Sequence, residues 1–231
     1  MSLHLYRLGS LAVLFLLLGC QPTPTEPVMS DHDYFPLETG RYVIYDVQQE
    51  QYALNSAPTL KTYQLKEVIG TTYTDVTVQT AYRLMRYRRL TESQPWQADS
   101  VWSARIINNE VVRTENGRDL VKLLLPVNGP EAWNGNRHNS SEPDDYVTRN
   151  IGLPYDVLGK QYSETVTVVE QDDSTLTMQD KRIAVYARQI GLIYKEQTQL
   201  QFCTATPACT GHSQIDYGIR QVYRIRTYGK E

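Results

Sequence analysis

Val101-Trp-Ser-Ala-Arg-Ile-Ile107, then Asn108-Asn109; Glu110-Val-Val-Arg-Thr-Glu115, then Asn116-Gly117; Arg118-Asp-Leu-Val-Lys-Leu-Leu-Leu125: three short runs of β-prone residues are punctuated by two dipeptides. Asn-Asn and Asn-Gly tolerate the positive φ that a two-residue hairpin needs. The stretch therefore predicts three successive strands in an antiparallel meander. The same two-residue period recurs outside it. Ile219, Gln221, Tyr223 and Ile225 fall on one strand face, with Arg220, Val222, Arg224 and Arg226 on the other. Ile183, Val185 and Ala187 alternate with Arg182, Ala184 and Tyr186, and residues 165–169 are all β-branched. Asp172-Asp173-Ser174 predicts a tight turn between strands at 162–170 and 175–188. Gly70-Thr71 is expected to separate strands at 60–69 and 73–90, and Gly191 to break a further pair. The total is about ten to twelve strands with little helix. The fold class expected is all-β: one domain over 34–231, built as a large curled antiparallel sheet. Half-barrel, barrel and sandwich all satisfy the pattern.

Composition narrows the function classes. The 231 residues are 41% apolar and 21% charged, with a net charge of -3. That is too apolar for a disordered chain and too balanced for a nucleic-acid binder driven by counterion release. Seventeen tyrosines against three phenylalanines suit strands with one wet face.

The N-terminus reads as an address. Arg7 precedes an apolar block of about 11 residues from Leu8, where spanning a bilayer takes about 20. An export signal over 1–19 is expected rather than a permanent span. Leu17-Leu18-Gly19-Cys20 resembles the lipobox of bacterial lipoproteins, in which the cysteine is acylated and begins the mature chain. The plainer alternative is an ordinary signal peptide that happens to precede a cysteine. Gln21-Pro-Thr-Pro-Thr-Glu-Pro27 cannot pack as a helix or central strand, so 20–33 reads as a tether. Acyl chains on Cys20 would hold the domain to membrane lipid. Gln21, in place of Asp, resembles outer-membrane sorting in Gram-negative systems.

In an oxidising envelope Cys203 and Cys209 are expected to form a disulfide. A redox or metal pair is the rival reading, but redox pairs usually have two intervening residues. His32, His138 and His212 show no paired ligand spacing, and no His-Glu-x-x-His or Gly-x-Ser-x-Gly run exists. Asp144-Asp145 and Asp172-Asp173 are expected in turns rather than in catalysis, and Asp31-His32-Asp33 in a solvated turn. No metal, no cofactor and no enzymatic activity are expected. Arg83, Arg86, Arg88 and Arg89, with Arg220, Arg224 and Arg226, either solvate an outer sheet face or meet acidic headgroups.

One irregular stretch, 126–145, holds three prolines, two glycines and four asparagines. Such a long connection is either functional or mobile. Trp133 argues that part of it packs down. The segment is thus either a loop whose tryptophan lids the core, or a ligand-gating loop with Trp133, Asn134 and Asn136.

Tyr34-Phe-Pro-Leu-Glu-Thr-Gly-Arg-Tyr-Val-Ile-Tyr45 resembles the opening of a group of Bacteroidota lipoproteins of unassigned function. Val101–105, Trp133-Asn-Gly-Asn136, Val185-Tyr-Ala187, Gly191-Leu-Ile-Tyr-Lys-Glu196 and Tyr228-Gly-Lys-Glu231 extend the likeness over nearly the whole mature chain. The resemblance implies a lipid-anchored, outer-membrane envelope protein. Gln21-Pro22-Thr23 lacks the acidic residues of surface-exported relatives, which implies a periplasm-facing one. The expected function is non-enzymatic binding of an apolar or amphiphilic ligand in the curled sheet. The alternative is an interaction or scaffold module for an envelope protein complex.

Overall fold

The structure is a computed structural model and describes residues 31–231. The signal segment, Cys20 and the tether up to residue 30 lie outside the described residues. Among the described residues, one 3-10 turn, Asp31–Tyr34, precedes twelve strands. The first six are β1 (Arg41–Tyr52), β2 (Thr59–Thr74), β3 (Thr80–Arg89), β4 (Gln97–Ile107), β5 (Glu110–Glu115) and β6 (Arg118–Leu124). Then come β7 (Ala132–Asn134), β8 (Asp145–Val157), β9 (Lys160–Ser174), β10 (Met178–Ala187), β11 (Gly191–Phe202) and β12 (Ile215–Lys230).

The hairpins after β4 and β5 turn where the dipeptides stand. Asn108, Asn109, Asn116 and Gly117 have φ of 49°, 66°, 50° and 79°, the left-handed values of tight hairpin turns. Every neighbouring pair is antiparallel, in the order β6-β5-β4-β3-β2-β1-β12-β11-β10-β9-β8-β7. β1 pairs with β12 from Arg41↔Lys230 to Tyr52↔Gly218. Two meanders thus join along the first and last strands. The sheet curls into a nearly closed, barrel-shaped body, helped by register shifts such as those at Ile44/Tyr45, Val111/Val112 and Arg182/Ile183, because a bulge bends and further twists a strand.

Two turns differ from expectation. β2 runs through Gly70 and Thr71 as an irregularity in its pairing with β3. The chain reverses instead at Asp75, whose Oδ1 accepts hydrogen bonds from the Thr77 amide at 2.8 Å, the Thr77 hydroxyl at 2.7 Å and the Gln79 amide at 3.0 Å. An aspartate that binds backbone two and four residues on makes the turn without Gly or Asn-Gly. Likewise Asp172-Asp173-Ser174 lies inside β9. The reversal falls one step later, where the Thr175 hydroxyl oxygen accepts from the amides of Thr177 and Met178.

The free edges of the sheet, β6 and β7, are consecutive in sequence, so residues 125–131 cross the seam between them. The irregular stretch is what closes the barrel. Trp133 pairs with Tyr146 across the β7–β8 ladder, is 3% exposed, and donates from Nε1 to the Val121 carbonyl at 2.9 Å. The Val121 amide donates to the Gly135 carbonyl at 2.9 Å, and Asn139 Nδ2 to the Asp119 carbonyl at 2.7 Å. Together these occupy edge groups that β6 would otherwise leave unpaired. Gly135 is required by packing, since a Cβ there would lie 2.4 Å from the Tyr146 ring.

Inside, Tyr45, Leu65, Val111, Leu123, Val166, Val168, Tyr186 and Ile193 are buried in a single core cluster. Cys203 and Cys209 form a disulfide, with their Cα atoms 5.6 Å apart, between β11 and β12. The arginine-rich β3 does not present one basic face. Arg86 turns inward onto Glu67, at 3.1 Å, and the Trp102 ring, at 3.6 Å, while Arg89 lies over Trp96. On β12, Arg220 pairs with Glu50, and Arg226 with Asp46 and Glu92.

Candidate functional site: an apolar cleft above a charged interior

At one end of the barrel the 3-10 turn leads into Phe35-Pro36-Leu37, and this short cap leaves a cleft of about 300 Å³ beside it. That is the low end of the range for small-molecule pockets. β1 supplies Val43 and Tyr45, β2 Ile69, β3 Leu84, and the start of β11 Gly191 and Leu192. Gly191 has φ +93°, and a Cβ there would touch the Pro36 ring at 3.6 Å. The walls are therefore largely apolar and set by adjoining strands of the sheet, β3-β2-β1-β12-β11, with the cap folded against them. The charged lining grades with depth. Lys230 and Arg41 at the rim have side chains 55% and 28% exposed, whereas Glu67 and Arg113 are 14% and 6% exposed.

Tyr45 is 2% exposed and donates its hydroxyl to the Leu192 carbonyl at 3.0 Å. Burial, followed by the charge of Glu67, pushes its pKa well above the usual tyrosine range, so it stays a donor that ties β1 to β11. Below it the barrel interior is charged. Arg113 Nη2 and Arg86 Nε both donate to Glu67 Oε1, at 3.0 and 3.1 Å. Trp102 lies against both guanidinium groups, at 3.6 Å from Arg86 and 5.3 Å from Arg113. Lys122 on β6 pairs with Glu170 on β9. Glu115 on β5 and Lys195 on β11 act on each other although six steps separate their strands in the sheet order.

At Arg113, Glu115 and Lys122 the fields of the neighbouring charges outweigh desolvation. Burial alone would raise the Glu115 carboxyl, but Lys195, Arg113 and Lys122 hold it down at about 2. Burial would lower Lys122, but Glu170 and Glu115 raise it above the ordinary lysine value. Lys195 is the exception: burial lowers it, and the neighbouring carboxylates do not restore it. Tyr186 is raised to about 12, chiefly by burial.

The sequence-derived site residues fall elsewhere. Trp133, Asn134 and Asn136 stand at the seam, and none lines the cleft. Asn134 Oδ1 accepts from the amides of Asn136 and Asp144 at 2.9 and 3.0 Å, and Asn136 Nδ2 donates to the Glu142 carbonyl at 2.7 Å. Asp144 forms a bidentate pair with Arg182 at 2.6 and 3.0 Å. His138 lies against Glu110 at 2.5 Å. Among the described residues, no group of three His, Cys, Asp or Glu side chains is placed to hold a metal ion, and no helix is long and apolar enough to cross a membrane.

Residues that single-strand alternation missed are the buried charges. The cleft itself had a signal: the runs 34–45, 191–196 and 228–231, quoted above for the family resemblance, all contribute to its lining. No protein-family model, no curated protein and no solved structure matches the chain.

Proposed function

We propose that this chain is a lipid-anchored envelope protein of a Gram-negative bacterium that binds an apolar or amphiphilic ligand in the end cleft of its barrel, without catalysing a reaction on it. The observation that carries the reading is the cleft: about 300 Å³ of space at one end of the barrel, walled by Phe35, Leu37, Val43, Ile69, Leu84 and Leu192. Apolar walls with a few placed polar groups are what a ligand site needs. The cap that forms one wall begins at Phe35, about 15 residues beyond Cys20. An extended tether of that length reaches at most about 50 Å, so the cleft would sit close to the leaflet holding the acyl chains.

Two measurements test this. Ile69→Trp, which fills the cleft from β2, is expected to weaken binding of an environment-sensitive apolar dye by at least about tenfold while leaving the β-sheet circular dichroism unchanged. Equal dye binding by both proteins would place any apolar site elsewhere. Cys20→Ser is expected to move the protein from the membrane pellet to the soluble periplasmic fraction. Retention in the pellet would remove the lipid anchor from the reading.

A further inference from the structure

A second hollow lies on the outside of the barrel. Successive side chains of a strand point to opposite faces. With Trp102 and Arg113 turned inward, Ser103 and Arg105 on β4 and Thr114 on β5 therefore face outward. Ser103 is paired with Thr114, and Thr114 with Asp119 on β6, so these four side chains form a floor. The β2–β3 turn at Asp75, Val76 and Thr77 makes one wall, and residues 138–141, after β7, make the other. The groove between them holds about 570 Å³, well inside the range of small-molecule sites. A further hollow of about 400 Å³ extends it past Tyr73 toward Asn116, with Tyr73, Ser103 and Thr114 common to both.

The floor is braced and its charges cancel. Arg105, with its side chain 7% exposed, lies between Asp119, at 2.6 Å, and Asp75, at 3.2 Å. The Thr114 hydroxyl donates to Asp119 Oδ1 at 2.6 Å. Asn139 Nδ2 donates to the Asp119 carbonyl at 2.7 Å, which ties the far wall to the floor. The Gln79 amide and the Thr77 hydroxyl hold the Asp75 carboxyl below the usual aspartate value, so it is an acceptor at neutral pH. Arg118 completes the charged lining, apart from His138, which lies against Glu110. Two carboxylates thus meet two guanidinium groups, a balance that favours neither an anion nor a cation. What the groove offers instead is uncharged hydrogen-bonding capacity. Ser103, Ser140 and Ser141 line it, and among the described residues their hydroxyls have no hydrogen-bond partner. Apolar contact comes from the Tyr73 ring and from Val76, which is fully exposed at the lip.

We propose that this groove binds a neutral oligosaccharide. A sugar ring combines a face of C–H bonds with a rim of hydroxyls that both donate and accept. The C–H face lies on Tyr73 and Val76, removing their apolar surface from water. The rim hydroxyls donate to Asp75 and Asp119 and exchange hydrogen bonds with Arg105 and the three serines. Hydrogen bonds to ionised partners are the stronger kind, so an uncharged ligand gains from a charged floor without upsetting its balance. The extension past Tyr73 gives room for more than one sugar unit. No residue of the groove belongs to the lining of the end cleft, and the inference does not depend on what the cleft binds.

Titration of the isotope-labelled full chain with maltohexaose, cellohexaose, xylohexaose and N-acetylchitohexaose, read by amide chemical shifts, tests it. At least one is expected to bind, with shifts concentrated at 73–77, 103–105, 114–119 and 138–141 and absent from 35–45. Tyr73→Ala is expected to weaken that binding by at least about tenfold, and Tyr73→Phe, which keeps the ring face, to restore it. Hexagalacturonate is expected to bind more weakly, because its carboxylates meet Asp75 and Asp119. No shift with any of the four neutral hexamers overturns the proposal. Tighter binding of hexagalacturonate shows an anion site and overturns it too, as do shifts that fall at the end cleft instead. The shift map needs no variant, so a poorly folding Tyr73→Ala would not spoil the test.

Discussion

Replacing Glu170 with alanine is expected to destabilise the barrel by about 3–5 kcal/mol, the usual cost of stranding one member of a buried ion pair. Lys122 and Glu170 have side chains only 5% and 7% exposed. They link β6 to β9 over the seam, with β7 and β8 between. Without the carboxylate, the Lys122 ammonium would have no carboxylate among the described residues within ion-pair distance, and Glu115 would be the main negative charge left to offset its burial. For a domain of this size about 1 kcal/mol moves the thermal midpoint by about 2–4 °C, so a fall of roughly 6–20 °C should appear in a thermal melt. The double variant Lys122→Met, Glu170→Leu is expected to recover most of the loss, because apolar residues of similar volume often replace a buried pair at little cost. A Glu170→Ala melt within about 1 kcal/mol of the parent would show that the pair behaves as an exposed one and that water reaches it.

That ion pair also shows what alternation cannot reveal. In Arg118-Asp-Leu-Val-Lys-Leu-Leu124 strict alternation sets Val121 and Leu123 on one face and Lys122 on the other. In the barrel all three are buried, at 0%, 0% and 4% exposure. The period of two was correct, but polarity did not tell which side is water, because a curled sheet can enclose polar groups that satisfy one another across the interior. Glu67, Arg113, Glu115 and Lys195 escaped notice for the same reason: each looks like an ordinary solvated strand residue until strands far apart in sequence are brought face to face. Local signals fared better. Asn108-Asn109 and Asn116-Gly117 placed two hairpins because positive φ is a property of the residues themselves. Gly70 misled because a glycine inside a strand also marks a bulge, and the aspartate at 75 makes its turn through side-chain hydrogen bonds that leave no Gly or Pro behind. The closure was half legible: the length of 126–145 and its lone tryptophan marked the stretch as special, but only the pairing of the first and last strands makes β6 and β7 the two edges that must meet.

Trp133→Ala is expected to cost about 3–5 kcal/mol, as for other large aromatics removed from a core, and to act first on the seam. The indole fills space beside Tyr146, 5.9 Å between ring centroids, and its N–H occupies the Val121 carbonyl on the β6 edge. Removing it leaves a cavity and an unpaired edge carbonyl together. Hydrogen exchange should therefore accelerate most at the Val121 amide, which donates to Gly135 across the gap, and least along the β1–β12 pairing on the far side of the barrel. Trp133→Phe separates the two contributions: it keeps much of the packing and loses the donor, for an expected cost nearer 1 kcal/mol. Uniform acceleration in every strand would make Trp133 a core filler with no particular hold on the seam. The same variant addresses the gating idea for this loop. Trp133, Asn134 and Asn136 do not line the cleft, so dye binding by folded Trp133→Ala should match the parent. A severalfold change in affinity would mean that the seam controls access to the interior, and that ligands enter through the side of the barrel rather than past Phe35 and Leu37.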